Sequence, residues 1–232
     1  MCATLTDIRK PLLFSASEKY SSLVLQFGVS IIIARLITPE QFGVFSVAYA
    51  IVGFAQIIRE MGVTSYIIQK NDLTSDDVRA SLFVTIIVAW ILALLLLLCS
   101  PLIMEIYGPE VQASVYIILV NFLTMPLSST IFAVLQREMR FDLLLRINLA
   151  GTVVNGGCAI LLAATGWGAM SLAWGCVAGQ LASAIVAGLC RPRLQHFWPS
   201  CTGARNVFVF GSVVMAGTLL QQVSTNVASL IT

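Results

Sequence analysis

Four side chains near the front of this sequence could together hold an anion: Lys19, Gln26, Gln56 and Arg59. Two are cations and two are carboxamides, and they lie in or beside the first two apolar segments. Gln26 belongs to a series Ser22, Gln26, Ser30 and Ala34; Gln56 belongs to a series Ser46, Tyr49, Gly53, Gln56 and Glu60. Steps of three and four put each series on one side of a helix. Such groups can bind and release a charged, hydrogen-bonding ligand, but they offer nothing for covalent chemistry. His196 is the only histidine, so a catalytic triad or a His-based metal site would lack a second imidazole. The six cysteines (Cys2, Cys99, Cys158, Cys176, Cys190 and Cys201) include no Cys-x-x-Cys pair. Most sit in or beside apolar segments, where a thiol packs as a small apolar side chain. The expectation is a binding or transport protein, not an enzyme, with no metal and no cofactor.

Composition sets the elements that must carry these residues. Hydrophobic residues make up 58% of the chain and charged residues 10%, where a soluble domain has roughly a quarter charged. The net charge of +2 arises from cations between the apolar segments, so the lipid bilayer is the expected partner and nucleic acid is not. A hydrocarbon core of about 30 Å needs about 20 apolar residues in helical form. Only helices satisfy backbone groups locally in lipid. The runs 20–36, 42–58, 80–104, 111–136, 147–165, 170–190 and 206–232 meet that requirement, and Ile91 to Leu98 shows none of the alternation of a β-barrel strand. The reading is an all-α, multi-pass transmembrane helix bundle. Residues 1–19 form a cytoplasmic lead-in, 20–190 a six-helix lobe, 191–205 a cytoplasmic connection and 206–232 a seventh helix.

The cations orient the bundle. Arg9, Lys10 and Lys19 precede the first span; Arg59, Lys70 and Arg79 lie between the second and third. Arg137, Arg140 and Arg146 lie between the fourth and fifth, and Arg191, Arg193 and Arg205 between the sixth and seventh, leaving only Arg35 on the other side. Positive charge collects on the cytoplasmic side, which places the amino terminus inside. Lys19, Arg35 and Arg59 fall near span ends, where a cation can snorkel to water and anchor topology. For Lys19 and Arg59 a second reading stands beside that one: they meet an anionic headgroup at a cavity mouth.

Helix punctuation marks the boundaries. Thr38-Pro39-Glu40-Gln41 has a capping Thr, Pro at the first helical position and Gln where a capping box needs it. Thr74-Ser75-Asp76-Asp77 resembles the same device, Gly108-Pro109-Glu110 starts another helix, and Thr165-Gly166-Trp167-Gly168 is a tight turn. In the sixth span Ser171, Gly175, Gly179, Ser183 and Ala187 form a ladder of small residues four apart, so Gly175, Gly179 and Ser183 are expected to form a packing seam. Asn121, Thr124 and Ser128 in the fourth span, and Asn148, Thr152 and Asn155 in the fifth, make polar faces. These faces either bond across packed helices or line a wet cavity.

The stretch Ala34-Arg35-Leu36-Ile37-Thr38-Pro39-Glu40-Gln41-Phe42-Gly43 resembles the Wzx-type flippases of lipid-linked oligosaccharides, within the multidrug/oligosaccharidyl-lipid/polysaccharide exporter superfamily. The resemblance continues at Gly53-Phe54, Glu60-Met61-Gly62-Val63, Ile67 to Thr74, Leu135 to Phe141, Gly166 to Ala169 and Phe210-Gly211, and so runs through nearly the whole chain. It implies two six-helix lobes of the kind found in multidrug exporters, around a central cavity, in a bacterial cytoplasmic (inner) membrane. It also implies transfer of polyprenyl-diphosphate-linked sugar repeat units to the outer leaflet by alternating access. Its implied partners are the lipid-linked oligosaccharide and other polysaccharide-assembly membrane proteins. A diphosphate joined to sugars needs cations and hydrogen-bonding groups, which Lys19, Arg59, Gln26 and Gln56 supply.

Two rival functions fit an apolar bundle. An ion-coupled drug exporter would need a carboxylate within a span, and none of the seven spans has one near its middle. A membrane polymerase or acyltransferase would need acid–base groups at a membrane surface; the outer connections are short and poor in them. Because Val207 to Thr232 is apolar to the last residue, the chain reads as the front of a longer protein, inactive on its own, with a complete seven-helix protein as the alternative.

Overall fold

The computed structural model describes residues 5–60, 63–70, 73–190 and 207–211, with side chains described for all of these but residues 5–19, Ser21, Glu60 and Gln69. Helices α1 (Leu5–Leu36), α2 (Pro39–Glu60), α3 (Val63–Gln69), α4 (Ser75–Leu98), α5 (Ser100–Tyr107), α6 (Pro109–Leu119), α7 (Asn121–Arg137), α8 (Phe141–Ala164) and α9 (Ala169–Cys190) carry the chain. Residues 207–211 are also helical, and no strand occurs among the described residues. The protein is an all-α, multi-pass membrane bundle. Among the described residues, four stretches, Pro39–Ile68, Ser75–Leu98, Phe141–Ala164 and Ala169–Cys190, are long and apolar enough to cross a membrane. The bent pair α6–α7 makes a fifth if counted as one span, and α1 contributes the shorter apolar stretch Ser22–Leu36. The connection 191–205 and most of the seventh segment, 206–232, lie outside the described residues.

The boundaries follow local chemistry. Residues 5–19 continue the helix of the first span: α1 has 32 residues, or about 48 Å at 1.5 Å per residue. Its first turns therefore extend beyond a hydrocarbon core of about 30 Å. At Thr38 the reciprocal cap is present, Gln41 N donating to Thr38 Oγ1 and Thr38 N to Gln41 Oε1, each at 3.4 Å. The cap at Thr74 is tighter: Asp77 N donates to Thr74 Oγ1 at 3.3 Å and Thr74 N to Asp77 Oδ2 at 3.0 Å. That box starts α4 at Ser75 and not at 80, and a turn at Cys99 followed by Pro101, which has no N–H to donate, ends it at Leu98. The expected span 80–104 is thus displaced toward the amino terminus.

The expected span 111–136 is broken. α6 and α7 meet at Val120 with a bend of 40°. Pro126 inside α7 cannot donate to the Phe122 carbonyl, and the chain tightens through Val120 N to Ile117 O at 3.2 Å and Leu123 N to Val120 O at 3.1 Å. Gly108 takes φ +89 ahead of Pro109, a conformation a Cβ would resist. The α8–α9 turn has the same character at Gly166, φ +86, and Gly168, φ +55.

Lipid is as apolar as a leucine side chain, so close packing and not the hydrophobic effect holds such helices together. Among the described helices α8 and α9 make the most extensive contact, and α1 rests on α8, where a Cβ added at Gly156 would lie 2.5 Å from Val29. α2 packs on α6 and α9, burying Ala48, Val52 and Ala55 beside Val115, Ile118 and Phe122. α3 is tied down at both sides. Arg137 Nη1 donates to the Ile67 carbonyl at 2.6 Å, and Lys70 Nζ pairs with Asp77 Oδ1 at 2.6 Å while donating to Tyr66 Oη at 3.0 Å. Hydrogen bonds to Asp77 and then Tyr66 push the Lys70 ammonium above its ordinary value, so it stays charged. The Tyr66 ring meets Phe210 edge-on at 5.4 Å, joining residues 207–211 to α3.

Candidate functional site

α1 and α2 are joined only by Ile37 and Thr38, yet they pack on different neighbours, α1 on α8 and α2 on α6 and α9. Between them lies a cleft of about 680 Å³ whose walls include Gln26, Ser30, Phe42, Tyr49 and Asn155. A second pocket of about 220 Å³ adjoins it, sharing Tyr49, Asn155 and Cys176, and is lined by Gln56, Asn121, Asn148, Thr152 and Gln180. A third of about 290 Å³ shares Met125 and Gln180 with the second and presents Arg59, Thr64, Ser128, Ser129 and Gln136. The three form a groove running from the Pro39 end of α2 to its Arg59 end.

Helical spacing explains the lining. On α2 Tyr49, Gln56 and Arg59 recur at seven and three residues and face the groove, while Ala48, Val52 and Ala55 face the core. On α8 Asn148, Thr152 and Asn155 do the same. Two of the four expected anion-holding residues, Gln26 and Gln56, line adjoining pockets, and Arg59 lines the next. Lys19 lies in α1, but its side chain is outside the described residues.

Arg59 does not snorkel. It is only 2% exposed, covered by Val63, Thr64 and Ile67 of the following helix, and its Nη1 donates to Ser129 Oγ at 3.5 Å. α3 is what spacing alone could not foresee: it folds over the end of α2 and keeps the guanidinium inside the bundle. Gln26, by contrast, is exposed in the cleft, with its backbone carbonyl accepting from Ser30 Oγ at 2.8 Å.

On α9, Gly175 and Gly179 face α8. A Cβ at Gly175 would lie 2.9 Å from the Asn155 carbonyl oxygen, and one at Gly179 2.8 Å from that of Gly151. Ser183 meets Gly151 on the same seam, and Gly179 and Ser183 also edge the second pocket.

Sequence reasoning passed over Gln180, Ser129, Gln136 and Thr64. Gln180 Nε2 donates to Ser128 Oγ at 2.7 Å, joining α9 to α7 across the groove. Its signal was a lone carboxamide in the middle of an apolar span, masked by the more regular glycine ladder beside it. Asn121, 4% exposed, is buried against the second pocket with its Oδ1 accepting no hydrogen bond. Amides and hydroxyls both donate and accept, whereas a guanidinium only donates. The groove therefore suits a ligand with an uncharged hydrogen-bonding part and an anionic part.

Residues 32–232 match the family model described as polysaccharide biosynthesis protein. Among curated relatives, the lipopolysaccharide biosynthesis protein WzxC of Escherichia coli (strain K12) is 21% identical, across 86% of this chain and 41% of its own length. The succinoglycan biosynthesis transport protein ExoT of Rhizobium meliloti (strain 1021) is 27% identical, across 68% of this chain and 32% of its own. An uncharacterized membrane protein in the cps region of Klebsiella pneumoniae is 27% identical, across 64% and 31%. The chain thus spans about a third to two fifths of the length of these relatives. No solved structure matches it.

Proposed function

The chain belongs to the polysaccharide biosynthesis protein family, and on that premise we propose that it forms one six-helix lobe of a flippase for polyprenyl-diphosphate-linked oligosaccharide repeat units. The cargo would serve exopolysaccharide, lipopolysaccharide or capsule synthesis at a bacterial cytoplasmic membrane. The observation that carries this reading is the buried Arg59 at one end of an amide- and hydroxyl-lined groove.

With the amino terminus in the cytoplasm, as the cation distribution favours, the Arg59 end of α2 faces the cytoplasm. A lipid diphosphate arriving from that side meets a guanidinium whose planar fork matches phosphate oxygens, assisted by Lys19 near the middle of α1. The sugars extend along Gln56, Gln180 and Asn155 toward Gln26, while the polyprenyl chain stays in lipid. A partner lobe would close the groove on its open side, and rocking of the two lobes would expose it to each face in turn. Other membrane proteins of polysaccharide assembly would supply the repeat unit and take it onward.

The test is Arg59→Ala, with Arg59→Lys and Gln26→Ala beside it, in the protein expressed in its own host. Surface polysaccharide should fall at least about tenfold in Arg59→Ala, the loss expected when a charged hydrogen bond to the ligand is removed, and less in the other two. Normal output from Arg59→Ala at equal membrane abundance would end this reading.

A further inference from the structure

Within that flippase reading, on which this step rests, we infer that α3 couples the anion end of the groove to the start of the seventh segment. It covers Arg59 in this conformation and uncovers it when residues 207–211 shift.

The need for such a step is read from space. Arg59 is 2% exposed, and the cavity left between it and Val63, Thr64 and Ile67 of α3 measures about 10 Å³. One water fills that volume; a phosphate does not fit. A guanidinium that is to fork onto phosphate oxygens must first present its edge. The rest of the cavity wall, Thr85 of α4 and Ser129, Thr130 and Ala133 of α7, belongs to long spans. α3 is the part that can give.

Its seven residues make about two turns, too few to be stable alone, so its neighbours set its position. Arg137 holds the Ile67 carbonyl, Lys70 forms a partly exposed ion pair with Asp77, and the Tyr66 ring meets Phe210. The third tether reaches across the chain. Val207 is fully buried in one cluster with Tyr66, Ala80 and Val84, and Val63 and Phe210 pack against that cluster. Val63 also lines the cavity at Arg59. One side chain of α3 therefore stands between the guanidinium and residues 207–211, and a displacement of the one is felt at the other.

The intact protein, purified from its host membrane into lipid nanodiscs, would be titrated with polyprenyl diphosphate while hydrogen exchange is followed at the amides of 63–69. A bound ligand ordinarily stabilises the state that binds it and slows exchange; here saturating lipid should speed exchange in α3 several-fold. Lys70→Met and Phe210→Ala each remove one tether and leave the groove untouched. Both should speed exchange in α3 without lipid and tighten lipid binding by about threefold to fivefold, because more of the protein is then in the open, competent state. Phe210→Leu, which keeps the bulk and loses the ring, serves if Phe210→Ala does not fold. Arg59→Ala should lose both the binding and the lipid-dependent change in exchange. Lipid binding that depends on Arg59 but leaves α3 exchange unchanged or slower would overturn the coupling and leave the flippase reading standing. So would folded tether variants that bind the lipid no better than wild type, and an effect of Lys70→Met alone would overturn the link to 207–211. No binding of the lipid by wild type would overturn both.

Discussion

Helices α8 and α9 turn back on each other through Thr165–Gly168 and lie in close contact, whereas α1 and α2, joined through Ile37 and Thr38, diverge around the 680 Å³ cleft. Both pairs carry residues repeating at three and four along facing sides. In the closed pair those rows are small: Gly151, Asn155 and Ala159 meet Gly175, Gly179 and Ser183. In the open pair Gln26, Ser30 and Ala34 share the walls of the cleft with the larger Phe42, Phe45 and Tyr49. Spacing chooses which face is presented; the volume opposite decides whether that face becomes a seam or a groove. The two turns meet at one end of the bundle, where Gly168 abuts the side chain of Gln41, the residue that closes the α2 cap.

The contrast breaks most sharply at Gly179. A methyl there would lie 2.6 Å from Asn155 Cβ and 2.8 Å from the Gly151 carbonyl oxygen, so backbone and not a side-chain tip must move. Overpacking of this kind costs up to about 3 kcal/mol, and better helix propensity returns about 1 kcal/mol. Gly179→Ala should therefore lose about 2 kcal/mol and lower the thermal unfolding midpoint in detergent. Adding Gly175→Ala should cost more. An unchanged midpoint would mean that α8 and α9 slide apart freely and that the seam is not the rigid half of the comparison.

A smaller loss is expected where the hairpins touch. Gly168 has φ +55, and a Cβ there would lie 2.8 Å from Gln41 Nε2. The left-handed conformation costs an alanine roughly 1 kcal/mol, while Gln41 can swing aside at the expense of its bonds to Thr38. Gly168→Ala should destabilise by about 1–1.5 kcal/mol. In a Gln41→Ala background only the backbone strain should remain, and a double-mutant cycle reads the difference. Strict additivity would show that the turns do not support each other.

Periodicity and caps made much of this legible beforehand. The sixth span, expected at 170–190, is α9 at Ala169–Cys190, and both capping boxes form where Thr38 and Thr74 announced them. The polar faces of Asn121, Asn148, Asn155 and Gln56 also converge on one pocket. What escaped was decided by tertiary neighbours. An apolar window cannot register the Val120 bend, because residues on both sides are equally suited to lipid. Nor can position near a span end reveal that Arg59 is buried, since α3 covers it from a separate helix. Gln180 was hidden in plain view beside Gly179: one face of α9 carries the seam and the next residue reaches across to Ser128.

The smallest effect, and the one of opposite sign, is expected at Gly53 on the splayed pair. A Cβ there has nothing within 4 Å, and neither does one at Gly28 on α1. Alanine in an open helical position gains up to about 1 kcal/mol of propensity over glycine, so Gly53→Ala should raise the unfolding midpoint slightly. A loss comparable to that of Gly179→Ala would mean that another element of the intact protein packs on this side of α2, filling the space assigned to cargo. A stable Gly53→Ala protein with reduced polysaccharide output would separate the two demands on the groove. The methyl would then be tolerated by the fold and resisted only by what has to pass along it.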